Sequence, residues 1–348
     1  LAEHTPAPSI GVILSGMGSD GTLGLKAIKA SGGVTFVQEP ASAKFDGMPR
    51  SAIAAGLADA VAPAEALPGM IIAHLRSGKS APMATASPAS DAPGDLGAVF
   101  ELLRARTGRD FSQYKKNTVN RRIERRMNLH RLDQIASYVR YLKENPQELD
   151  LLFRELLIGV TNFFRDPAEW DALKASITTM LSATRPAGQA IRAWVAGCST
   201  GEEAYSLAIV CREALEALAP SGSPAIQIFA TDMDPDAIKR ARNGEYPATI
   251  AAEVSLERLQ RFFLKSERGY QVSKSVRETV IFAPHDVTTD PPFTRLDVVS
   301  CRNLLIYLTP RAQHKLLPMF HYALKPGGIL FLGTSETIGK PSGLFAPI

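Results

Sequence analysis

Three cysteines, Cys198, Cys211 and Cys301, are all that 348 residues contain, too few and too scattered for a disulfide framework or a zinc site. That scarcity points to a reduced, cytoplasmic compartment. No stretch approaches the ~18 uninterrupted apolar residues that a membrane-spanning helix needs. No basic stretch leads into an apolar one near Leu1, so no secretion signal is visible. An excess of one charge is missing too: 39 Lys and Arg against 35 Asp and Glu leave +4, too little by itself to argue for nucleic acid. What is present, 45% hydrophobic and 21% charged residues, excludes wholesale disorder. The length suggests two or three domains. Because the chain opens at Leu rather than Met, and stops soon after a strand-like segment, we expect a piece of something longer.

The clearest seam is Arg76 to Pro93, where thirteen of eighteen residues are Ala, Ser, Pro or Gly. Such a segment cannot repay the entropy of ordering, which predicts a flexible linker over 76–94. Before it, Ser9–Leu14 reads as a buried strand, Gly16–Gly21 as a tight loop, Thr22–Ala30 as a helix, Val34–Val37 as a strand and Arg50–Gly56 as a short helix. After it, Leu96 to about Leu157 is helical: Val99, Phe100, Leu102 and Leu103 form one apolar face, and Val119, Ile123 and Met127 recur every fourth residue. Asn145-Pro146 with Glu148 spells a helix start with a capping box, and Asp166-Pro167 with Glu169 repeats it. From Ile191 strands alternate with helices, which implies a parallel sheet covered on both faces. The expected strands are Ile191–Ala196, Ile226–Ala230, Val280–Ala283, Leu296–Ser300 and Gly328–Leu332. Leu256 to Arg277 breaks the alternation as a small insertion.

The loop from Gly16 to Gly21 spells G-x-G-x-x-G between a strand and a helix, with Glu39 about where a ribose-binding acid belongs. A dinucleotide needs two mononucleotide halves, and only ~75 residues precede the linker, so that reading is set aside. The longer strings LSGMGSDG, VQEPASAKFDGMPRSAI and GLADAV resemble the C-terminal end of the CheB-type chemotaxis methylesterases. Asp20 matches that family's triad aspartate. Without nucleophile and base, an orienting carboxylate catalyses nothing, so the resemblance implies a remnant.

Lys115 to Arg131 carries seven basic residues and one acid, a local charge of +6. On a helical wheel Arg121 and Arg125 point away from the apolar face, while Arg122 and Arg126 flank it. A solvated face, nucleic acid and an acidic protein surface all remain open. No aromatic residues interleave the arginines as a base-stacking platform would require, and the acidic surface is favoured. Further on, a buried strand runs into Gly197 and Gly201, small residues that would let backbone approach a ligand at a helix N-terminus. Asp232 lies thirty-one residues after Gly201 at the tip of the next strand, placed to accept hydrogen bonds from two ribose hydroxyls. There is no Walker lysine, so triphosphate binding has no support. With the Lys325-Pro326-Gly327 turn into a late strand, this ordered set resembles the class I S-adenosylmethionine-dependent methyltransferases. Asp290-Pro291-Pro292-Phe293 imitates a base-methylating box but precedes its strand, and reads as a connecting turn.

STGEEAYSLA, FATDMD, CRNLLIY and VTNFFRD together resemble the CheR-type methyltransferases, which methylate receptor glutamates in bacterial chemosensory systems. Following a methylesterase segment, they resemble the CheB–CheR fusions. The resemblance implies an α/β fold: a class I doubly wound sheet with a small β insertion near 256–279, preceded by an all-helical module and a partial methylesterase fragment. The expected domains are 1–75, the linker 76–94, a helical module 95–170 and a methyltransferase domain 171–348, C-terminally truncated, with an open sheet edge. By the same resemblance Arg165 and Tyr307 are catalytic. Thr161, Arg165, Glu203, Asp232, Asp286, Val287, Arg302 and Asn303 contact S-adenosyl-L-methionine, whose product is S-adenosyl-L-homocysteine, and no metal is implied. Arg121, Arg122, Arg125 and Arg126 would meet the cytoplasmic helices of methyl-accepting receptors, with neither nucleic acid nor membrane insertion involved. The short LKSERG turn between Phe263 and Tyr270 implies no grip on a receptor tail peptide. From the residues alone, Tyr307 also fits a core aromatic, Arg165 a helix-cap partner of Asp166, and Cys198 and Cys301 small buried residues. A non-catalytic chemosensory scaffold, and methylesterase activity confined to a full-length fusion, are the alternatives.

Overall fold

The computed structural model describes residues 9–18, 20–30, 33–77, 93–157, 159, 161–182, 190–218, 225–267, 269–338 and 343–348. The chain divides into two units, Leu1–Asp91 with Pro247–Thr249, and Ala92–Tyr246 with Ile250–Ile348. Among the described residues no helix is long and apolar enough to cross a membrane.

In the first unit β1 (Ile10–Ile13), β2 (Val34–Gln38) and β3 (Ala60–Ala62) form a parallel sheet in that order. Helices α1 (Thr22–Ala30) and α2 (Gly47–Ala54) cross between the strands, and α3 (Leu67–Ser77) follows. Leu25 and Ala52 pack with Ile13 and Val37 on one face, and Leu67 packs with Phe36 and Ala60 on the other. The pattern reading missed β3, which is too short to show alternation, and α3, whose last turn occupies the start of the expected linker. Residues 78–92 of that linker lie outside the described residues. Asp20 is exposed, and its Oδ1 accepts the N–H of Gly21 at 2.8 Å; no histidine is bonded to it among the described residues.

The second unit opens with α4 (Pro93–Thr107), α5 (Lys116–Leu129), α6 (Ile135–Glu144) and α7 (Pro146–Leu156). Val99, Leu103, Val119, Ile123, Met127, Tyr138, Leu142, Leu149 and Leu152 form their shared core, so the fourfold spacing in α5 is the buried stripe it resembled. The capping box is not formed. Glu148 is 3% exposed and turns inward, where Arg126 grips it through Nε (2.8 Å) and Nη2 (2.6 Å) and the Tyr138 hydroxyl donates at 2.8 Å. Burial opposes its ionisation, but the bonds from Arg126 and Tyr138 outweigh burial and hold the carboxyl below its ordinary value. Asn145 instead donates its side-chain amide to the Tyr141 carbonyl at 2.9 Å. Glu155 takes Arg122 and Arg125, each at 3.1 Å. Three of the four arginines assigned to a receptor are therefore ion-paired inside the module. Arg121 alone of the four is exposed, with no ion-pair partner among the described residues.

The remainder is α8 (Pro167–Ser182), β4 (Ile191–Ala196), α9 (Glu202–Leu218), β5 (Ile226–Asp232), α10 (Pro235–Asn243), β6 (Glu245–Tyr246), α11 (Leu256–Phe262), β7 (Phe263–Ser266), β8 (Gly269–Val272), α12 (Lys274–Arg277), β9 (Val280–Pro284), β10 (Leu296–Cys301), α13 (Pro310–Ala323) and β11 (Leu324–Leu332). Five parallel strands run β11-β10-β4-β5-β9, so the order reverses between β4 and β10. Strand alternation splits β4 between two layers. Ile191, Ala193 and Val195 join the core beneath α8, α9 and α10, while Trp194 and Ala196 join the core shared by α13 and the helical module. Because α8 packs with the sheet layer, the expected boundary at residue 170 falls inside a helix. The insertion is the antiparallel sheet β6-β8-β7, which begins at Glu245, earlier than expected. β11 begins at Leu324 rather than Gly328: Leu296 pairs with Leu324 and Val298 with Ile329, and the Lys-Pro-Gly-Gly stretch bulges between them. Asp290–Phe293 is the connecting loop it resembled, with Phe293 stacked on Phe229 at 4.4 Å.

Candidate active site

Where the order of an open parallel sheet reverses, the carboxyl ends of neighbouring strands diverge and leave a crevice. Here a cleft of about 970 Å³, open to solvent, occupies that place. The loop before α8 and the loops after β4, β5, β9 and β10 build it.

The loop after β4 turns through three left-handed residues, Gly197 (φ +78°), Ser199 (φ +47°) and Gly201 (φ +97°). A Cβ on Gly201 would meet Ala241 Cβ at 2.9 Å and the Tyr246 hydroxyl at 3.0 Å, and one on Gly197 would meet Leu304 at 3.1 Å. Both glycines serve the turn and its packing, and Gly197 also lines the cleft. The turn aims the Ser199 N–H at Asp232 Oδ2 (2.8 Å), and the Asp234 N–H takes Oδ1 (2.9 Å). Burial pushes the Asp232 carboxyl up against the pull of both donors. At the start of α9, Glu202 turns to the Thr200 hydroxyl (2.6 Å), while Glu203 lines the cleft and accepts the Ser300 hydroxyl at 2.6 Å. Burial pushes Glu203 up to about 7, against that bond and the charge of Arg302.

The loop before α8 holds Arg165 between two left-handed residues, Phe164 (φ +47°) and Asp166 (φ +57°). The Phe163 N–H donates to Glu253 Oε2 at 2.9 Å, and the Phe164 N–H to the Ser206 hydroxyl at 3.0 Å. The Arg165 carbonyl accepts Trp170 Nε1 and Arg302 Nη1, both at 2.9 Å. Asp166 takes Arg302 Nη2 at 2.9 Å, so its carboxylate serves Arg302, neither capping α8 nor pairing with Arg165. Arg302 is 4% exposed and sits over Phe331 (4.7 Å) and Trp170 (5.4 Å). The backbone is thus pinned on both sides of Arg165, whose side chain lines the cleft with no carboxylate partner among the described residues.

The loop after β10 carries Asn303 (φ +58°) and a short turn, Leu305–Tyr307. The Tyr307 carbonyl accepts the Lys115 N–H at 2.8 Å, beside an antiparallel bridge between Tyr114 and Leu308. Burial raises the Tyr307 phenol, while the charges of Arg122, Arg165 and Arg121 pull it back. Through this pairing the helical module walls one side of the cleft with Tyr114, Leu156 and Leu157.

Thr161, Arg165, Glu203, Asp232, Val287, Arg302, Asn303 and Tyr307 all line the cleft. Asp286 does not: it is buried, and its Oδ1 accepts the Thr288 N–H (2.9 Å) and hydroxyl (2.6 Å), which turns it into its own loop. The two free thiols beside these loops, Cys198 and Cys301, are buried and pushed well up by desolvation, hence inert packing. Missed from the sequence were Tyr114, Met233 and His285. Met233 and His285 each adjoin a residue already singled out, whereas nothing local marks Tyr114, which arrives by tertiary pairing.

The wall offers three carboxylates, Glu203, Asp232 and Asp234, the last accepting the N–H groups of Asp236 and Ala237, beside apolar Met233, Val287 and Leu304. Arg302 Nε and His285 Nδ1 are buried without hydrogen-bond partners among the described residues. Carboxylates for hydroxyls and an ammonium, an apolar slot for a flat ring, and unfilled polar atoms together fit S-adenosylmethionine. Comparison with known proteins agrees. Residues 159–348 match the family described as CheR methyltransferase, SAM binding domain; residues 94–157 match the CheR methyltransferase all-alpha domain, and residues 1–71 the CheB methylesterase. An uncharacterized 104.1 kDa protein of Rhodobacter capsulatus is 41% identical over 97% of this chain, which spans only 38% of that relative's length. Proteins named chemotaxis protein methyltransferase in Listeria monocytogenes and Listeria innocua are 32% and 34% identical, each over 68% of this chain and 87% of its own length. The chain that carries this cleft thus belongs to the CheR methyltransferase family, and residues 159–348 match that family's S-adenosylmethionine-binding domain.

Proposed function

We propose that this chain methylates glutamate side-chain carboxylates on chemotaxis receptors. The observation that carries the reading is the Arg165 guanidinium, without an ion-pair partner among the described residues and presented to a cleft whose other wall charges include Glu203 and Asp232. An anionic acceptor needs such a cation; an amine or a nucleobase does not. S-Adenosylmethionine, when bound, supplies the electrophilic methyl group. Asp232 holds the ribose hydroxyls, Glu203 the ammonium end, and Val287 and Met233 flank the ring. Thr161 and Asn303 complete the cofactor's wall. Arg302 acts by holding the Arg165 loop. Arg165 and Tyr307 align the incoming carboxylate. That nucleophile is already ionised at pH 7, so no general base is required. Alignment and exclusion of water supply most of the acceleration. Too strong an ion pair at Arg165 would stabilise the carboxylate before reaction, which limits its part to positioning.

Transfer of labelled methyl from S-adenosylmethionine to receptor-bearing membranes, scored as base-labile volatile methanol, tests the reading. Base-stable label would mean a different acceptor and would sink it.

Glu203 gives the site a pH dependence of definite sign. Its carboxyl titrates at about 7 without cofactor, and the cofactor's ammonium favours the ionised form. Binding below that pH must expel a proton. Affinity is expected to rise about tenfold per pH unit up to neutrality and then level off. Calorimetry from pH 5.5 to 8.5 checks this, and Glu203→Gln should bind weakly with a flat profile. A flat profile in the parent protein would remove Glu203 from the ammonium.

Docking falls to fewer charges than the composition of α5 suggests. Lys115 and Lys116 stand exposed at the N-terminal end of the helix, the wrong end for cations, so helix stability does not explain them. The Lys115 N–H meets the Tyr307 carbonyl, and the charge of Arg121 reaches the Tyr307 phenol. Arg121→Glu is expected to raise the receptor KM several-fold and flatten its salt dependence, with kcat little changed. An unchanged salt dependence would end the idea.

A further inference from the structure

We propose that Glu336 is the positioning residue for the loop that presents Asn303 and Tyr307. It stands just past β11 and is 9% exposed. Its Oε2 accepts the N–H groups of Asn303 and Gly333, both at 2.8 Å, and its Oε1 accepts the N–H of Leu305 at 2.7 Å. No cation pairs with it among the described residues, so three backbone donors solvate this carboxylate. Three donors converging on one buried carboxylate make a rigid joint, because each carries a charge-assisted bond. The fit is close: a Cβ on Gly333 would meet Asn303 Nδ2 and Glu336 Oε2, each at 3.0 Å.

The joint acts on the residues the site needs. Asn303 is left-handed and Leu305 opens the turn that ends in Tyr307, so the two N–H groups held by Glu336 bracket that presentation. The carbonyl side of the same turn is held separately, by Gln313 Nε2 on the Leu305 oxygen at 2.7 Å. Glu336 itself does not line the cleft and acts through the residues that do.

Glu336→Gln keeps the shape and removes one acceptor. Whichever way the amide turns, its NH2 faces at least one backbone N–H, so the joint must open. The kinetic arm of the test rests on the methyltransferase reading; the structural arm does not. In the full chain, hydrogen exchange of the peptide spanning residues 302–309 is expected to quicken about tenfold or more while β4 and β5 stay protected. kcat is expected to fall about 10²-fold with the receptor KM within a few-fold, as for a reacting group misplaced by an ångström. Unchanged exchange at 302–309 would overturn the proposal, and so would faster exchange with kcat intact. If the parent protein transfers no methyl, the methyltransferase reading fails and the exchange arm alone decides Glu336. If Glu336→Gln exchanges fast everywhere, Glu336→Asp, which keeps both oxygens on a shorter stem, is held to the same criteria.

Discussion

Arg165→Ala is expected to cost methyl transfer about 10²–10³-fold in kcat, the range seen when one preorganised donor is removed from a reacting centre. The loop gives the reason. Bonds to Glu253, Ser206, Trp170 and Arg302 fix the backbone on both sides of Arg165, so its side chain is aimed before any substrate arrives. The guanidinium has no carboxylate partner to release among the described residues, so an acceptor need not displace an existing ion pair. Removing it leaves the loop bonds intact, because they involve backbone atoms of residues 163, 164 and 165. Cofactor affinity should therefore change only a few-fold. Arg165→Lys separates charge from shape: an ammonium keeps the charge but loses the planar two-pronged geometry. Single-turnover rates beside calorimetric affinities for S-adenosylhomocysteine make the comparison. A large loss of affinity with kcat preserved would move Arg165 to the cofactor and leave the acceptor without its cation.

Asp232→Ala should show the reverse pattern, with affinity for S-adenosylhomocysteine weakened about 10²-fold or more. Hydrogen bonds to a charged group are worth about 1.5–3 kcal/mol each, and two ribose hydroxyls are served. The variant also strands the N–H groups of Ser199 and Asp234, which now end on this carboxylate. Ser199 is left-handed, so the loop after β4 loses the acceptor that holds its turn. Asp232→Asn distinguishes the two effects. Its amide keeps one acceptor for the loop and opposes a donor with the other end, so it should retain more of the fold than of the affinity. Full affinity in Asp232→Asn would refute the ribose assignment.

The sheet and its order of helices were legible because the alternation of strands with helices and Pro-initiated helix starts are local signals, as at Asn145-Pro146 and Asp166-Pro167. The cleft was legible through the family strings, and eight of the nine matched residues stand in its wall. What escaped is tertiary. Glu148 sits in a helix-start signature, yet the half-buried Arg126 and His130 and the buried Tyr138 outbid the local cap. Asp166 was claimed in the same way by Arg302. Arg122, Arg125 and Arg126 look like a charged surface in one dimension, but their partners lie more than twenty residues along the chain. Tyr114 and Glu336 carry no local mark, since each matters through a loop distant in sequence.

The core that begins in the helical module does not end there. Val119, Ile123 and Leu152 belong to the same apolar cluster as Trp194, Val299 and Phe320 of the sheet layer. A seam between two family matches, 94–157 and 159–348, therefore runs through continuous packing. Cutting the chain there would expose both halves of one interior, and neither piece would keep the cooperativity that a shared core confers. The two segments are therefore expected to melt as one body.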